Sequence, residues 1–317
     1  MYGPALATLA HVSTRLRQVL TVLFVITAVV VAGVFVWLRR DEVGQALSRL
    51  SGLAIAGSLL AGLGATVFTM LAWRAAVADF GTRLPLAAAG RVFFLGQLGK
   101  YLPGSLWPVL AQMELGRDYG VRRASSAAAA TLMLVLAAVT GTGVAIVTLP
   151  LAADTVLAEY RWAALAAIPL LALLVPAVQQ ALIRLAARLL RRNLDLPRSS
   201  ARGMAVATAW MAAAWVLFGL HLHVLVTSTC GCGPSLPLAV GIFALAWVAG
   251  FLFIIAPAGA GVREGVLVLG LAPVLDPGAA LLVALASRVL LTLADLLLAG
   301  LGGWGARRRT RPVVTSP

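Results

Sequence analysis

Blocks of apolar residues about as long as a bilayer-crossing helix recur down this chain, and no other feature restricts its fold so tightly. At about 1.5 Å per residue, about twenty apolar residues cross the ~30 Å hydrocarbon core of a membrane. Six blocks meet that length, at roughly Val19–Leu38, Leu53–Trp73, Ser125–Leu149, Trp162–Leu182, Met204–Thr227 and Ala279–Trp304. The first follows Arg15 and Arg17 as a signal peptide would. Its apolar core is too long for one, and no Ala-x-Ala cleavage site lies between the start of that core and Arg39, so it reads as a helix. In lipid, backbone groups must find their partners within the segment or in a closed barrel. Long apolar blocks therefore predict an all-α, polytopic membrane protein.

Composition agrees. Of the 317 residues, 61% are hydrophobic and 11% charged, against about 45–50% and about 25% in soluble domains. So few charges cannot cover a globular surface in water, which excludes a soluble enzyme, a nucleic-acid binder and a disordered regulator. The balance of 25 Lys+Arg against 11 Asp+Glu reflects basic cytoplasmic loops rather than a nucleic-acid partner. Twenty-four of those cations are Arg and one, Lys100, is Lys. With the abundance of Ala, Gly and Leu, this is the bias of a GC-rich bacterial genome. Cys230 and Cys232 stand alone, and His11, His221 and His223 lack ligand-spaced partners. No metal or cofactor is expected.

Two further apolar stretches are interrupted by Pro and Gly, which end helices. Leu84–Leu115 is broken at Gly99-Lys100-Tyr101-Leu102-Pro103-Gly104, and Leu236–Leu275 at Pro257-Ala258-Gly259-Ala260-Gly261. The limbs Leu84–Leu98 and Ser105–Leu115 would be about 22 Å and 17 Å long, too short to cross. Each stretch is predicted to be a re-entrant hairpin, the two entering from opposite faces. With both termini cytoplasmic, 18 basic residues fall inside and Arg39, Arg40, Arg49 and Arg161 outside. The whole chain, 1–317, then reads as one transmembrane domain of an inner membrane.

That leaves charges within the apolar segments: Lys100, Arg263, Arg288, Glu114, Glu264 and Asp295. On insertion scales each costs about 2.5–3.5 kcal/mol at mid-bilayer. Arg288 and Asp295, seven residues apart, share one helix face. They either neutralise each other or line a hydrated path with Gln97, Gln112 and Glu114. Around Lys100 and Tyr101, Gly99, Pro103 and Gly104 free backbone groups, and Ser105 can cap the returning helix. A helix N-terminus beside a cation suits a phosphate. Gly259, Gly261, Arg263 and Glu264 repeat the arrangement at the second tip. Half-helix ends meeting near the midplane characterise transporter sites.

Gly96-Gln97-Leu98-Gly99-Lys100-Tyr101-Leu102-Pro103-Gly104, followed by Trp107-Pro108 and Gln112-x-Glu114, resembles the lysylphosphatidylglycerol synthase transmembrane family. So does Pro257-Ala258-Gly259-Ala260-Gly261-Val262-Arg263-Glu264-Gly265. The resemblance spans nearly the whole chain and implies a lipid-flipping membrane domain, as in the multiple peptide resistance factor. In the synthases a soluble aminoacyl-transfer domain follows. This chain stops at Pro317 without one, so lipid handling without synthase activity is expected. Membrane lipids are the expected partners, phospholipid or polyprenyl-phosphate-linked sugar, alone or alongside a lipid-modifying synthase or glycosyltransferase. The rival readings are a scaffold for a lipid-linked glycosyltransferase and an integral polyprenyl-phosphate-sugar transferase. The latter has only Asp41-Glu42 and Asp118 as loop acids.

The charge sorting makes a direct prediction. Cysteines introduced near Arg192 and after Arg309 should be shielded from an impermeant thiol reagent in intact cells, and ones near Ser235 and at Pro277 should label. Labelling of the tail with shielding at Pro277 would overturn the second hairpin.

Overall fold

The computed structural model describes residues 34, 37–38, 40–101, 107–152, 177–178, 199–231, 233–253 and 259–307. Most of the expected spans Trp162–Leu182 and Val19–Leu38, the tip residues Pro103, Gly104 and Ser105, Pro257, Ala258 and the basic tail after Arg307 lie outside them. Among the described residues the regular structure is helical: α1 Arg40–Arg49, α2 Gly52–Asp79, α3 Leu86–Gln97, α4 Trp107–Arg117, α5 Arg123–Ala152, α6 Ala201–Cys230, α7 Leu236–Leu252, α8 Val262–Leu271 and α9 Pro277–Arg307. Four of them, α2, α5, α6 and α9, are long and apolar enough to cross a membrane. They cover the four described blocks that hydropathy marks.

The helices α2 and α6 run antiparallel and pack along their length. Their ends are tied by a shared cap. Ser200 Oγ accepts from Gly203 N–H at 2.9 Å at the start of α6, and Ser200 N–H and Oγ–H donate to Asp79 at the end of α2, at 2.6 and 2.5 Å. Ser51 caps α2 in the same way, through Ala54 N–H. Midway, His221 bridges Ser58 of α2 (Nδ1···Oγ 2.7 Å) and Ser287 of α9 (Nε2···Oγ 2.8 Å). A buried polar side chain is thereby satisfied on both ring nitrogens.

The two interrupted stretches form helical hairpins. In α3/α4, Gly96 faces Gln112 and Gly99 faces Trp107 and Pro108; in α7/α8, Ile242 faces Gly270 and Gly250 faces Gly259 and Arg263. Contacts climb one limb as they descend the other, so both pairs are antiparallel. At about 1.5 Å per residue α3 is ~18 Å long, α4 ~17 Å and α8 ~15 Å, all short of a bilayer crossing.

Helix α9 relates the two hairpins. Arg91 of α3 lies against Gly302, and Lys100 and Tyr101 reach Asp295. The first hairpin therefore approaches along α9 from its C-terminal end. The second approaches from the N-terminal end, because α8 runs into α9 through Ala272–Asp276 and Glu264, near the hairpin tip, reaches Arg288.

Close backbone approach holds the second tip. Gly259 has φ +68°, and a Cβ there would lie 2.8 Å from Gly250 Cα. Gly259→Ala should lower thermal stability in detergent by the equivalent of about 1–3 kcal/mol, whereas Gly300→Ala, with open space around it, should be neutral or slightly stabilising. Thermal unfolding of the two variants checks this.

Candidate functional site

At the first tip α3 ends in a 3-10 turn, Leu98–Tyr101. Gly99 lets the limbs close, since a Cβ would sit 2.8 Å from Pro108 N. The turn delivers two donors to one oxygen. Lys100 Nζ lies 2.6 Å from Asp295 Oδ2, and Tyr101 O–H donates to the same atom at 2.5 Å. The Asp295 side chain is 5% exposed, so its charge depends on these charge-assisted contacts. The Lys100 ammonium also lies 5.4 Å from the Tyr101 ring centroid.

At the second tip Gly259 and Gly261 both have positive φ, a conformation open to Gly without steric cost. Gly261 N–H donates to Glu264 Oε2 at 2.6 Å, closing the first turn of α8. The other carboxylate oxygen lies 3.6 Å from Arg288 Nη1. Arg263 turns the other way. Its guanidinium lies 4.6 Å from the Phe243 ring centroid, a cation–π contact. Its Nη2 is buried with no hydrogen-bond partner among the described residues.

Both tips open on one cavity of about 270 Å³. Gln97, Lys100, Tyr101, Gln112, Arg263, Arg288 and Asp295 make its polar part. Trp73, Phe93, Trp215, Phe218, Trp247 and Phe251 make its aromatic part. The rings are continuous: Phe243 stacks on Phe218 at 5.0 Å, Trp215 lies 5.9 Å from Phe218 and 5.5 Å from Trp247, and Trp247 stacks on Phe251 at 5.3 Å. Three cations, Lys100, Arg263 and Arg288, thus face two carboxylates, Asp295 and Glu264. The arrangement suits an anionic group at the tips with an apolar group beside it.

Most of the residues marked in the sequence meet here: Gln97, Lys100, Tyr101, Gln112, Gly259, Arg263, Arg288 and Asp295 line the cavity. Gly99 and Gly261 shape the turns, and Glu264 holds Arg288. Pro103 and Gly104 fall outside the described residues. Two readings change. Arg288 and Asp295 share a face of α9 but do not contact as a pair; seven residues separate them by about 10 Å along the axis, and each takes a partner from a different hairpin. Glu114 leaves the path altogether. It is exposed at the far end of α4 and paired with Arg117 at 2.6 Å and Arg123 at 2.9 Å. Hydrogen bonds from Arg123 and Arg117 hold its carboxyl below the ordinary Glu value. The aromatic wall was missed, although the spacings Trp215/Phe218 and Trp247/Phe251 each place two rings on one helix face.

Long apolar helices around a charged, aromatic-walled cavity define a polytopic membrane protein with a polar site inside its helical bundle. The chain belongs to the family described as the lysylphosphatidylglycerol synthase TM region, whose model matches residues 21–299. No curated protein matches it.

The observed pairing sets an expectation for coupling. Lys100→Met and Asp295→Asn together should cost less than the two changes added, with a coupling of about 0.5–3 kcal/mol. Arg288→Met with Asp295→Asn should come close to additive. Thermal unfolding in detergent measures both cycles.

Proposed function

We propose that this protein handles, and moves across the bilayer, a lipid bearing a phosphate, either a phospholipid or a polyprenyl-phosphate-linked sugar. The observation that carries the reading is the set of three cations, Lys100, Arg263 and Arg288, lining one cavity, with Arg263 Nη2 buried and without a hydrogen-bond partner among the described residues. Buried donors of this kind call for an acceptor, and a phosphate oxygen is a strong one. In this reading the two hairpins are re-entrant, dipping from opposite faces of a bacterial inner membrane with both chain termini cytoplasmic. The head group sits between the tips while the acyl or prenyl chains stay in the bilayer. Family membership supports a membrane role in lipid metabolism. In this reading the chain moves the lipid rather than reacting with it; of the acids read in the sequence as loop charges, Asp41 and Glu42 lie in the first turn of α1, where Glu42 accepts from Gly278 N–H at 2.8 Å.

The test is reconstitution of the full chain into phosphatidylcholine vesicles carrying a trace of head-group-labelled phosphatidylglycerol, with a membrane-impermeant quencher added outside. Wild-type protein should expose inner-leaflet label to the quencher, and Lys100→Ala and Arg263→Met should each slow this by about tenfold or more. Lys100→Arg should rescue poorly, because a planar fork does not replace a point charge in a Gly-flanked turn. Wild-type rates equal to those of protein-free vesicles would overturn translocation.

A further inference from the structure

Two carboxylates, Asp295 and Glu264, stand beside the hairpin tips, and they are held differently. Glu264 has both oxygens engaged, Oε2 by Gly261 N–H at 2.6 Å and Oε1 by Arg288 at 3.6 Å. Asp295 lines the cavity and Glu264 does not. Both donors to Asp295 close on Oδ2, Lys100 Nζ at 2.6 Å and Tyr101 O–H at 2.5 Å. Its Oδ1 accepts no hydrogen bond among the described residues.

Lys100 is wanted twice. Its ammonium, on a side chain 34% exposed, neutralises Asp295, and in the reading above it also meets the phosphate. Two anions on one ammonium repel each other, and an apolar interior screens that repulsion far less than water does. A proton on Asp295 removes the conflict. Taken from water entering the cavity onto Oδ1, it leaves Tyr101 donating to Oδ2 and releases Lys100 to the phosphate. We infer that the protein is a proton–lipid symporter, in which Asp295 takes up a proton as the phosphate binds and returns it to water on the other side as the phosphate leaves. The inference rests on the phosphate-lipid reading and adds its energy source. Lipid then travels with protons, toward the alkaline face of the membrane. Release of Lys100 also leaves Tyr101 alone to tie the first tip to α9, so the proton acts where that hairpin is anchored.

The other titratable and charged groups around Asp295 are few. Arg263 and Glu264 come from α8 and Arg288 from α9 itself. His221 of α6 is held between Ser58 and Ser287 and does not line the cavity. Charges on the remaining helices packed against α9 lie further along: Arg91 at Gly302, Arg74 on Leu84 O, Asp79 on Ser200 and Glu42 on Gly278 N–H.

Phosphatidylglycerol is the probe, because its phosphodiester keeps a single negative charge across the near-neutral range. Calorimetry of its binding to the full chain in detergent, repeated in two buffers with different heats of protonation, counts the protons exchanged. Binding should take up about one proton and should strengthen about tenfold for each pH unit of acidification while Asp295 starts out charged. Asp295→Asn should bind without proton uptake and with an affinity flat across pH; a pH dependence that survives in this variant would overturn the assignment to Asp295. In vesicles holding the full chain, a pH step should drive labelled lipid to the alkaline leaflet faster than in protein-free vesicles. Binding by the wild type without proton uptake would place the phosphate on Arg263 and Arg288 with the Lys100–Asp295 pair intact. That result overturns the symport and leaves the phosphate reading standing, whereas no binding at any pH overturns both. The proton count is made on the wild-type chain, so the outcome does not depend on whether the variant folds.

Discussion

A carboxylate buried in an apolar bundle needs a counter-charge within reach, and Asp295 obtains one from a distant part of the chain. Lys100 and Tyr101 both close on its Oδ2. An isolated ion in so apolar a setting is costly, and removing one partner of a buried pair costs more than the pair returns. The tip of the first hairpin is therefore anchored to the middle of α9 by electrostatic need as well as by packing. Glu264 and Arg288 make the corresponding link for the second hairpin. One helix thus carries both anchors about two turns apart, which sets the distance between the tips and hence the place of the cavity.

Packing around those anchors depends on small residues. Inside a membrane, helices gain little by hiding apolar surface from lipid, so close van der Waals approach carries much of their association. Gly96 and Gly99 bring the limbs of the first hairpin together, and Gly250 and Gly259 those of the second. The α2/α6 pair is fastened at one end by Asp79 and Ser200 and in the middle by Ser58 and His221. His221 also holds Ser287, the residue before Arg288. The scaffold behind the charged face of α9 is therefore hydrogen-bonded as well as packed.

The cavity joins two environments that a lipid head group and its nearby chain would meet together. Its polar part is built from hairpin tips and α9, its aromatic part from α2, α3, α6 and α7. Phe243 lies at the junction, with Arg263 on it and Phe218 stacked against it. The contact stabilises the guanidinium without using its N–H groups, which remain for hydrogen bonding.

Hydropathy, Pro-Gly interruptions and motif order determined the all-helical membrane character, the two hairpins and the family. They did so because a span is a local property: length and apolar content decide it residue by residue. The gathering of Lys100, Arg263, Arg288 and Asp295 was also legible, since charges in apolar segments must find partners. Which charge pairs with which was not. Arg288 and Asp295 look like partners along the helix, yet only the approach of the hairpins from opposite ends of α9 assigns Asp295 to Lys100 and Arg288 to Glu264. Glu114 looks intramembrane by its neighbours, and the position of α4 places it among Arg117 and Arg123 instead. The aromatic wall, and the burial of Trp73 Nε1 and Gln112 Oε1 without a hydrogen-bond partner among the described residues, are likewise tertiary facts. Their residues sit far apart along the chain, and only helix packing gathers them.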